Sequence, residues 1–448
     1  MSFKERFIKD YEKDALEMLE DIISYPSVLD NYIENGEAPF GIPAKECLHY
    51  VINKGISDGF IPFNADNYAG HLEYGEGSES LGILAHLDVV PVDKSEWNSD
   101  PFKLTYKDGK MIARGIVDDK GPFVASYIAL KMLKDDGFKP KRKIRLIFGC
   151  DEESGSRCLE RYFKLMEKPT LAFSPDAEFP VINGEKGMLS YDLLVNDNII
   201  EEFIAGQRYN IVPSKASMKI KIDLKKEFEA YCKENNYNYE IDGDKYIAYG
   251  IAAHAMCPQN GLNAAYILFD FLNKYSDSKL AKFVDKYYLF DPYGKKAGYD
   301  DFDPEMKELT SNFAVVEIRK GKGKIGINCR LPKDSDFELI NNSLSKITKE
   351  FNYNYKELSS SKRHYIPAKS ELVQKLMESY VKVTKDEINK PFSIGGGTYA
   401  RECDYAVAFG PMFVGREDVC HIANEYMFKE DFYKLVEIYY DAIYNLAK

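Results

Sequence analysis

Apolar runs of strand length recur between residues 80 and 180, and a segment with helical periodicity lies among them. Three of these runs predict buried strands: LGILAH (81–86), KIRLIFG (143–149) and TLAFS (170–174). The segment 121–138 predicts a helix, because Pro122 stands in its first turn and Gly137 near its end. Strands that alternate with a helix indicate a layered α/β domain with a largely parallel sheet.

After residue 187 the pattern changes to an alternation of apolar and polar residues, which is typical of antiparallel strands. The examples are ASMKIKIDL (216–224), NFAVVEIRKG (312–321) and KIGINCRLP (324–332), with KGKGK (320–324) as a hairpin turn. Helical patterns occupy 263–276 and 370–384. We therefore predict a discontinuous α/β domain, 1–187 with 365–448, and an inserted α+β domain with an antiparallel sheet, 188–364.

The amino-terminal segment is charged and amphipathic, and it predicts a helix that reaches about Ile23. Ser2 and Glu5 have the spacing of a capping box, and the segment lacks the apolar stretch of a signal peptide. No stretch of about 20 residues is apolar throughout, so we expect no membrane span. The eight cysteines form no CxxC pair, which suits reduced thiols in the cytoplasm. The net charge of −12 argues against nucleic acid or an anionic membrane as the main partner.

Carboxylates and imidazoles follow apolar runs at four places in the predicted α/β domain: HLDVVP (86–91), ARGIVDDKGP (113–122), FGCDEESGS (148–156) and FSPDAEFP (173–180). The carboxyl ends of strands in such a sheet form the crevice where ligands bind. We therefore expect six side chains to converge there: His86, Asp88, Asp118, Glu152, Glu153 and Asp176. The later motif CHIANEY (420–426) adds His421.

Each of these residues alone has an ordinary structural alternative. The alternatives are a core histidine (His86), a loop cap (Asp88), charge at a helix start (Asp118), a solvated acidic loop (151–153), a turn residue (Asp176) and a helix cap (His421). These separate structural roles explain the seven residues together less well, because several carboxylates in one crevice repel one another unless cations or protons intervene. Two divalent cations would remove this repulsion, and imidazole and carboxylate ligands suit Zn²⁺, Mn²⁺ or Co²⁺.

The charges of such a centre also indicate a chemistry. Three carboxylate ligands and two neutral imidazoles around two dications leave one positive charge, which lowers the pKa of a bridging water toward about 7. Glu152, next to the ligand Glu153, would be the spare carboxylate that takes the proton. Asp88 would orient His86 by accepting from its second ring N–H.

The motifs follow the order of a known family: HLDVVP, ARGIVDDKGP, DEESGS, SPDAEFP, GGGTYAR and HIANEY. From about residue 80 to 426 the chain resembles the co-catalytic two-zinc peptidases. This family includes aminoacylases, glutamate-releasing carboxypeptidases, succinyl-diaminopimelate desuccinylase and bacterial dipeptidases. The closest resemblance is to the peptidase V-like, or carnosinase-like, dipeptidase branch.

The resemblance implies two divalent metal ions as cofactors, Zn²⁺ foremost. One ion would be held by His86, Asp118 and Asp176, and the other by Asp118, Glu153 and His421. It also implies a cis peptide between Asp118 and Asp119. Glu152 would activate a metal-bridging hydroxide as general base and then protonate the leaving amine.

The insert would be the lid domain of this family. By resemblance, His254 donates to the oxyanion, while Arg330 and Asn210 hold the C-terminal carboxylate of the substrate. The backbone of the GGGTYAR loop (395–401), including Gly396, would meet the same carboxylate. Without the resemblance, Arg330 fits an exposed strand residue, Asn210 a turn residue and His254 a loop histidine. The glycine-rich loop fits a plain turn, and it lacks the Lys-Ser/Thr pair of a phosphate-binding P-loop.

The sequence therefore predicts a cytoplasmic metallodipeptidase that hydrolyses small peptides. The alternative of the same chemistry is a deacylase or desuccinylase of N-acyl amino acids. A non-catalytic metal-dependent binding protein would be expected to lack a ligand or the base, and all of them are present here. The long lid resembles that of monomeric relatives, so we expect a monomer. His49, His71 and His364 match no motif and are predicted to be structural.

Overall fold

The computed structural model describes all 448 residues, and the chain forms two compact units. The first unit comprises residues 1–183, 365–392 and 397–448, and the second comprises residues 184–364 and 393–396. Each unit buries an apolar core of its own. The chain passes between the units at 183/184, 364/365, 392/393 and 396/397, and the sequence-based domain boundaries at 187/188 and 364/365 stay a prediction.

Eleven α-helices form on the segments whose apolar residues recur at helical spacing. They are α1 (Phe3–Asp10), α2 (Glu12–Ser24), α3 (Ile42–Ser57), α4 (Lys120–Asp135), α5 (Arg157–Leu165), α6 (Lys225–Glu234), α7 (Ala264–Tyr275), α8 (Lys279–Tyr287), α9 (Phe337–Glu350), α10 (Glu371–Thr384) and α11 (Lys429–Ala447). No helix combines the length and the continuous apolar surface that a bilayer crossing requires.

Twenty-four strands complete the regular structure. They are β1 (Ile61–Ala65), β2 (Ala69–Tyr74), β3 (Ser80–His86), β4 (Thr105–Lys107), β5 (Lys110–Ile112), β6 (Lys143–Gly149), β7 (Leu171–Ser174), β8 (Ala177–Glu178), β9 (Ile182–Glu185), β10 (Gly187–Asn196), β11 (Ile200–Ala205), β12 (Lys215–Ile220), β13 (Asn238–Asp242), β14 (Lys245–Tyr249), β15 (Phe302–Asp303), β16 (Lys307–Glu308), β17 (Thr310–Arg319), β18 (Lys322–Leu331), β19 (Asn354–Ser361), β20 (His364–Tyr365), β21 (Phe392–Ile394), β22 (Ala406–Ala408), β23 (Pro411–Met412) and β24 (Tyr426–Phe428).

The nine-stranded sheet has the order β1-β2-β6-β3-β7-β22-β9-β20, with β21 paired to β9, and its four central strands are parallel. All seven residues of β3 are buried, which explains why this strand reads as a continuous apolar run and not as an alternation. The antiparallel strands β1 and β2 lie at one edge. The predicted layered α/β fold with a largely parallel sheet is confirmed.

The sheet of the second unit has eight antiparallel strands in the order β13-β14-β12-β11-β17-β18-β10-β19. Strands β17 and β18 form the predicted hairpin, in which Arg319 pairs with Lys322. Lys320 and Gly321 have φ of 51° and 71°, the left-handed conformation that a two-residue hairpin turn requires. The predicted antiparallel α+β character of this insert is also confirmed.

The amino-terminal helix differs from its prediction at one residue. The Ser2–Glu5 capping box is present, with the Ser2 hydroxyl accepting from the Glu5 N–H at 3.2 Å and the Glu5 carboxylate accepting from the Ser2 N–H at 2.7 Å. The helix then breaks at Tyr11, whose φ of −132° ends α1 and precedes α2. The apolar periodicity continues across this break, so the pattern alone did not reveal it.

Candidate active site and metal centre

The parallel strands β3, β6 and β7 bring the candidate residues together, because their carboxyl ends lie at one edge of the sheet. His86, the last residue of β3, pairs in register with Gly149 at the end of β6. Glu152 and Glu153 follow β6, and Asp176 follows β7 by two residues. Asp118 lies two residues before the start of α4, and the peptide bond between Asp118 and Asp119 is cis.

Two groups of potential metal ligands form at this edge, and they share Asp118. In the first group, His86 Nε2 lies 2.8 Å from Asp118 Oδ1 and 3.6 Å from Asp176 Oδ2. In the second, His421 Nε2 lies 2.8 Å from Asp118 Oδ2 and 3.0 Å from Glu153 Oε1. Within each group the ligand atoms all lie within 4.8 Å of one another. Each oxygen of Asp118 therefore faces one imidazole, as a bridging carboxylate would.

The electrostatics show an excess of negative charge among these side chains. Asp118 and Glu153 raise the pKa of His421 to about 11. Burial alone would lower the pKa of His86, but its contacts with Asp118 and Asp176 outweigh burial and raise it. Burial and the charge of Asp118 raise the pKa of Glu153 to about 7 and also raise that of Asp176. The cluster therefore attracts positive charge, which divalent cations would supply.

The residues fit a divalent cation in two further respects. His86 Nδ1 lies 2.9 Å from the main-chain oxygen of Asp88; that oxygen can only accept, so Nδ1 carries a proton and Nε2 is the ring nitrogen that can bind a cation. Glu153 Oε1 is buried and accepts no hydrogen bond, although His421 Nε2 lies close to it. A buried oxygen without a donor is costly unless another partner, such as a cation, satisfies it.

Glu152 belongs to neither ligand group. Burial, followed by the negative charge of Asp176, raises the pKa of its carboxyl group well above the usual range. A carboxylate with a raised pKa is a stronger base than an ordinary glutamate, which favours the uptake of a proton from water. Glu152 thus has the environment of a general acid or base.

The structure changes the interpretation of Asp88. The sequence assigned its carboxylate to the second ring nitrogen of His86, but Asp88 Oδ1 lies 3.5 Å from that nitrogen, farther than the main-chain oxygen. The carboxylate instead accepts the N–H of Glu152 at 3.0 Å and the N–H of Glu153 at 3.1 Å. Both N–H groups belong to the loop after β6, so Asp88 fixes the loop that carries Glu152 and Glu153.

This geometry predicts an unequal loss of metal in Asp88→Asn. The asparagine amide offers one oxygen to two backbone donors and places an NH₂ group against the other donor, which loosens the loop at Glu153. We expect the ion of the Glu153 group to bind about 10–100-fold more weakly, while His86 keeps its main-chain partner and its ion. Calorimetric titration with Zn²⁺ or Mn²⁺ would measure both affinities. Asp93→Asn is the matched control, because the Asp93 carboxylate also accepts a backbone N–H, that of Ser95, but belongs to neither ligand group. Equal weakening of both ions in Asp88→Asn would contradict the assignment of Asp88 to the loop that carries Glu153.

Arg330 lies in the second unit and is buried, with 5% of its surface exposed, so the alternative of an exposed strand residue is wrong. Its Nε donates to Asn328 Oδ1 at 2.9 Å, and its Nη1 donates to the main-chain oxygen of Gly395 at 2.9 Å. Asn328 in turn donates to the Ser190 hydroxyl at 2.9 Å. These contacts fix the guanidinium of Arg330 in one orientation within this unit.

The other predicted lid residues lie on loops of the second unit. Asn210 and His254 are both exposed, and they lie close to each other because the Ala255 N–H donates to the Asn210 main-chain oxygen at 2.8 Å. The glycine-rich loop has a clear steric reason for one of its glycines. A Cβ at Gly395 would overlap the Cβ of Met256, which cannot move away easily, whereas one at Gly397 would meet only the guanidinium of Arg401, the mobile end of a long side chain. Gly396 has room for a side chain.

Sequence reasoning missed two buried carboxylates that contact the backbone of this site. Asp119 Oδ2 accepts the N–H of His86 at 3.0 Å. Glu425 accepts the N–H groups of Val117 and Asp118. The available signals were the second aspartate of the DD pair and the glutamate that follows His421 by four residues. His71, predicted to be structural, is buried and lies 2.7 Å from the Tyr162 hydroxyl, with burial lowering its pKa to about 3.

Known proteins resemble this chain over nearly its whole length. Residues 82–445 match the model of peptidase family M20/M25/M40. A Staphylococcus epidermidis protein named "Putative dipeptidase" is 37% identical over 468 aligned positions that cover 99% of each chain. The structures of Saccharomyces cerevisiae Dug1p, described as a di-peptidase, and of human carnosine dipeptidase 1 give TM-scores of 0.59 and 0.58. They are 14% and 12% identical and cover 99% of this chain and 98% and 99% of their own, so they show the fold alone.

Proposed function

Because this chain belongs to peptidase family M20/M25/M40 and is therefore a peptide-bond hydrolase, we propose that it is a metal-dependent dipeptidase. The observation that carries the proposal is Asp118, whose two oxygens each face an imidazole while Glu152 remains outside both ligand groups. The choice of dipeptides is supported by the names of relatives that cover 99% and 98% of the chain.

The proposed roles follow from the two ligand groups. His86, Asp118 and Asp176 would hold one divalent ion, and Asp118, Glu153 and His421 would hold the other. When bound, such ions polarise a peptide carbonyl and lower the pKa of a coordinated water. We propose Zn²⁺ foremost, by resemblance to the family, with Mn²⁺ and Co²⁺ as alternatives, because imidazole and carboxylate ligands suit all three ions.

Glu152 would move the proton in this reaction. Its carboxylate would accept a proton from the attacking water and then deliver it to the amine that leaves the substrate. The Glu152 N–H is held by Asp88 Oδ1, which limits the movement of the base. A fixed position matters because proton transfer requires the base to stay within hydrogen-bond distance of the water.

The residues of the second unit would bind the substrate. Arg330 would pair with the C-terminal carboxylate of the dipeptide, and the fixed orientation of its guanidinium reduces the entropy lost on binding. We propose that Asn210 and the backbone of Gly396 contact the same carboxylate and that His254 donates a hydrogen bond to the oxyanion. We also propose a monomer in the cytoplasm, consistent with eight free cysteines; light scattering and cell fractionation test these two points.

The function is tested by hydrolysis of a substrate panel after chelation and reloading with Zn²⁺, Mn²⁺ or Co²⁺. The panel pairs each dipeptide with the tripeptide and the N-acetyl amino acid that share its C-terminal residue. We expect the dipeptides to be cleaved fastest, and we expect the chelated protein to be inactive until metal returns. Faster hydrolysis of the N-acyl amino acids would favour the deacylase alternative. Metal-loaded protein that binds dipeptides without turnover would contradict both.

A further inference from the structure

We propose that Glu425 is a positioning residue of the metal centre. It fixes the distance between Asp118 and His421. This inference rests on the proposed function, because it assumes that both residues bind metal. Glu425 is fully buried and contacts neither imidazole ring. It lies four residues after His421 in the sequence, and its carboxylate accepts hydrogen bonds from the loop that ends at Asp118.

The Glu425 carboxylate accepts four hydrogen bonds from one short loop. Oε1 accepts the N–H of Val117 at 2.7 Å and the N–H of Asp118 at 3.2 Å. Oε2 accepts from Arg114 Nη1 at 2.7 Å and from the N–H of Gly115 at 3.0 Å. Every donor therefore lies between residues 114 and 118, so this one side chain sets the path of the backbone that leads into Asp118.

The same loop is tied to the segment that carries His421. Arg114 Nη2 donates to the main-chain oxygen of Ile422 at 3.3 Å, directly after His421. The N–H of Ala113 donates to the main-chain oxygen of Glu425 at 3.2 Å, and strands β5 and β24 continue the pairing. His421 itself has φ of 63°, a left-handed conformation that is uncommon for residues other than glycine. Arg114 and the main chain of Glu425 hold the segment around His421 through these hydrogen bonds.

A carboxylate is required at this position because all four partners are donors. Glutamine in the same place would offer one acceptor oxygen, and its NH₂ group would face either the Val117 and Asp118 amides or the Arg114 and Gly115 donors. Buried donors that lose their acceptor are costly, and Arg114 would also lose the charge that balances its own. We expect the loop to respond by moving, which changes the position of the Asp118 oxygens.

The experiment compares Glu425→Gln and Glu425→Asp with the wild type in calorimetric titrations with Zn²⁺ and Mn²⁺ alone. The matched control is Asp197→Asn in the second unit. Asp197 is also a buried carboxylate with four donors, namely the N–H groups of Ile199, Ile200 and Leu280 and the Ser278 hydroxyl. It has the same number of hydrogen bonds to lose and no part in the metal centre. Circular dichroism checks that each variant is folded.

We expect Glu425→Gln to bind metal at least about 10-fold more weakly than the wild type, as removal of outer partners of metal ligands typically does. Glu425→Asp, which keeps the charge but is one methylene shorter, should fall between the two, and Asp197→Asn should bind as the wild type does. At saturating metal, Glu425→Gln should lower kcat and leave KM for the dipeptide unchanged, because Glu425 is not proposed to touch substrate.

The inference is overturned if folded Glu425→Gln binds two ions with wild-type affinity, or if Asp197→Asn weakens metal binding to the same extent. If Glu425→Gln does not fold, Glu425→Asp is judged by the same criterion. A wild-type protein that binds no divalent ion would instead contradict the proposed function. The two failures are therefore distinguishable.

Discussion

Glu152→Gln is expected to lower dipeptide hydrolysis by about 10²–10⁴-fold while both metal ions stay bound. The amide of glutamine has nearly the same shape as the carboxyl group but cannot take a proton from water and return it to the leaving amine. Glu152 belongs to neither ligand group, so the metal affinities should not change. Steady-state kinetics on the metal-reloaded variant, together with metal analysis of the same sample, measures both quantities.

The control for this substitution is Glu160→Gln on α5. Glu160 is exposed, and its carboxylate contacts Lys164 one turn along the same helix, so the same chemical change is made away from the site. We expect wild-type turnover from this variant. Wild-type turnover from Glu152→Gln would remove the proposed general base. A loss of metal from Glu152→Gln would show that the residue is a ligand and not a proton carrier.

Asp118→Ala is expected to lose both ions, because this residue is the only one that belongs to both ligand groups. His86→Ala and His421→Ala should each lose the ion of their own group. The expected stoichiometries are therefore two ions in the wild type, one in each histidine variant and none in Asp118→Ala. Equilibrium dialysis with Zn²⁺ followed by elemental analysis measures them directly.

Thermal unfolding gives a second readout of the same prediction. A ligand that binds only the folded state at 100 times its dissociation constant stabilises that state by about 2.7 kcal/mol. Added metal should therefore raise the Tm of the wild type and leave that of Asp118→Ala unchanged. If Asp118→Ala retains one ion and its stabilisation, the two groups do not share this carboxylate, and the bridged centre is wrong.

Several parts of the fold could be predicted because they depend on local pattern. The run LGILAH forms β3, and Asn263, at the start of the helical pattern 263–276, caps α7 by accepting from the Ala265 N–H. The hairpin at Lys320 and Gly321 was visible from its turn residues and the strands beside it. The break at Tyr11 was not, because the residues on both sides keep one apolar face and only the backbone angle reveals the change.

The candidate site was predictable to the extent that its residues follow strand ends. Once strands are taken as parallel, His86, the residues after β6 and Asp176 must lie at one edge. The partner of each side chain does not follow from that placement. A carboxylate such as Asp88 has several hydrogen-bond donors nearby. Which of them it binds depends on differences of a few ångströms in the position of the surrounding loops.

The sequence by itself determined the layered α/β fold, the antiparallel insert and the residue types that could form a two-metal centre. It did so because hydrophobic period and strand-end position are local properties of the chain. Only the tertiary structure decided that Asp88 holds the Glu152 and Glu153 backbone, that Arg330 is buried, and that Glu425 binds the loop before Asp118. Those contacts join residues as many as 311 positions apart, as in the Arg114–Glu425 pair, and no local pattern records them.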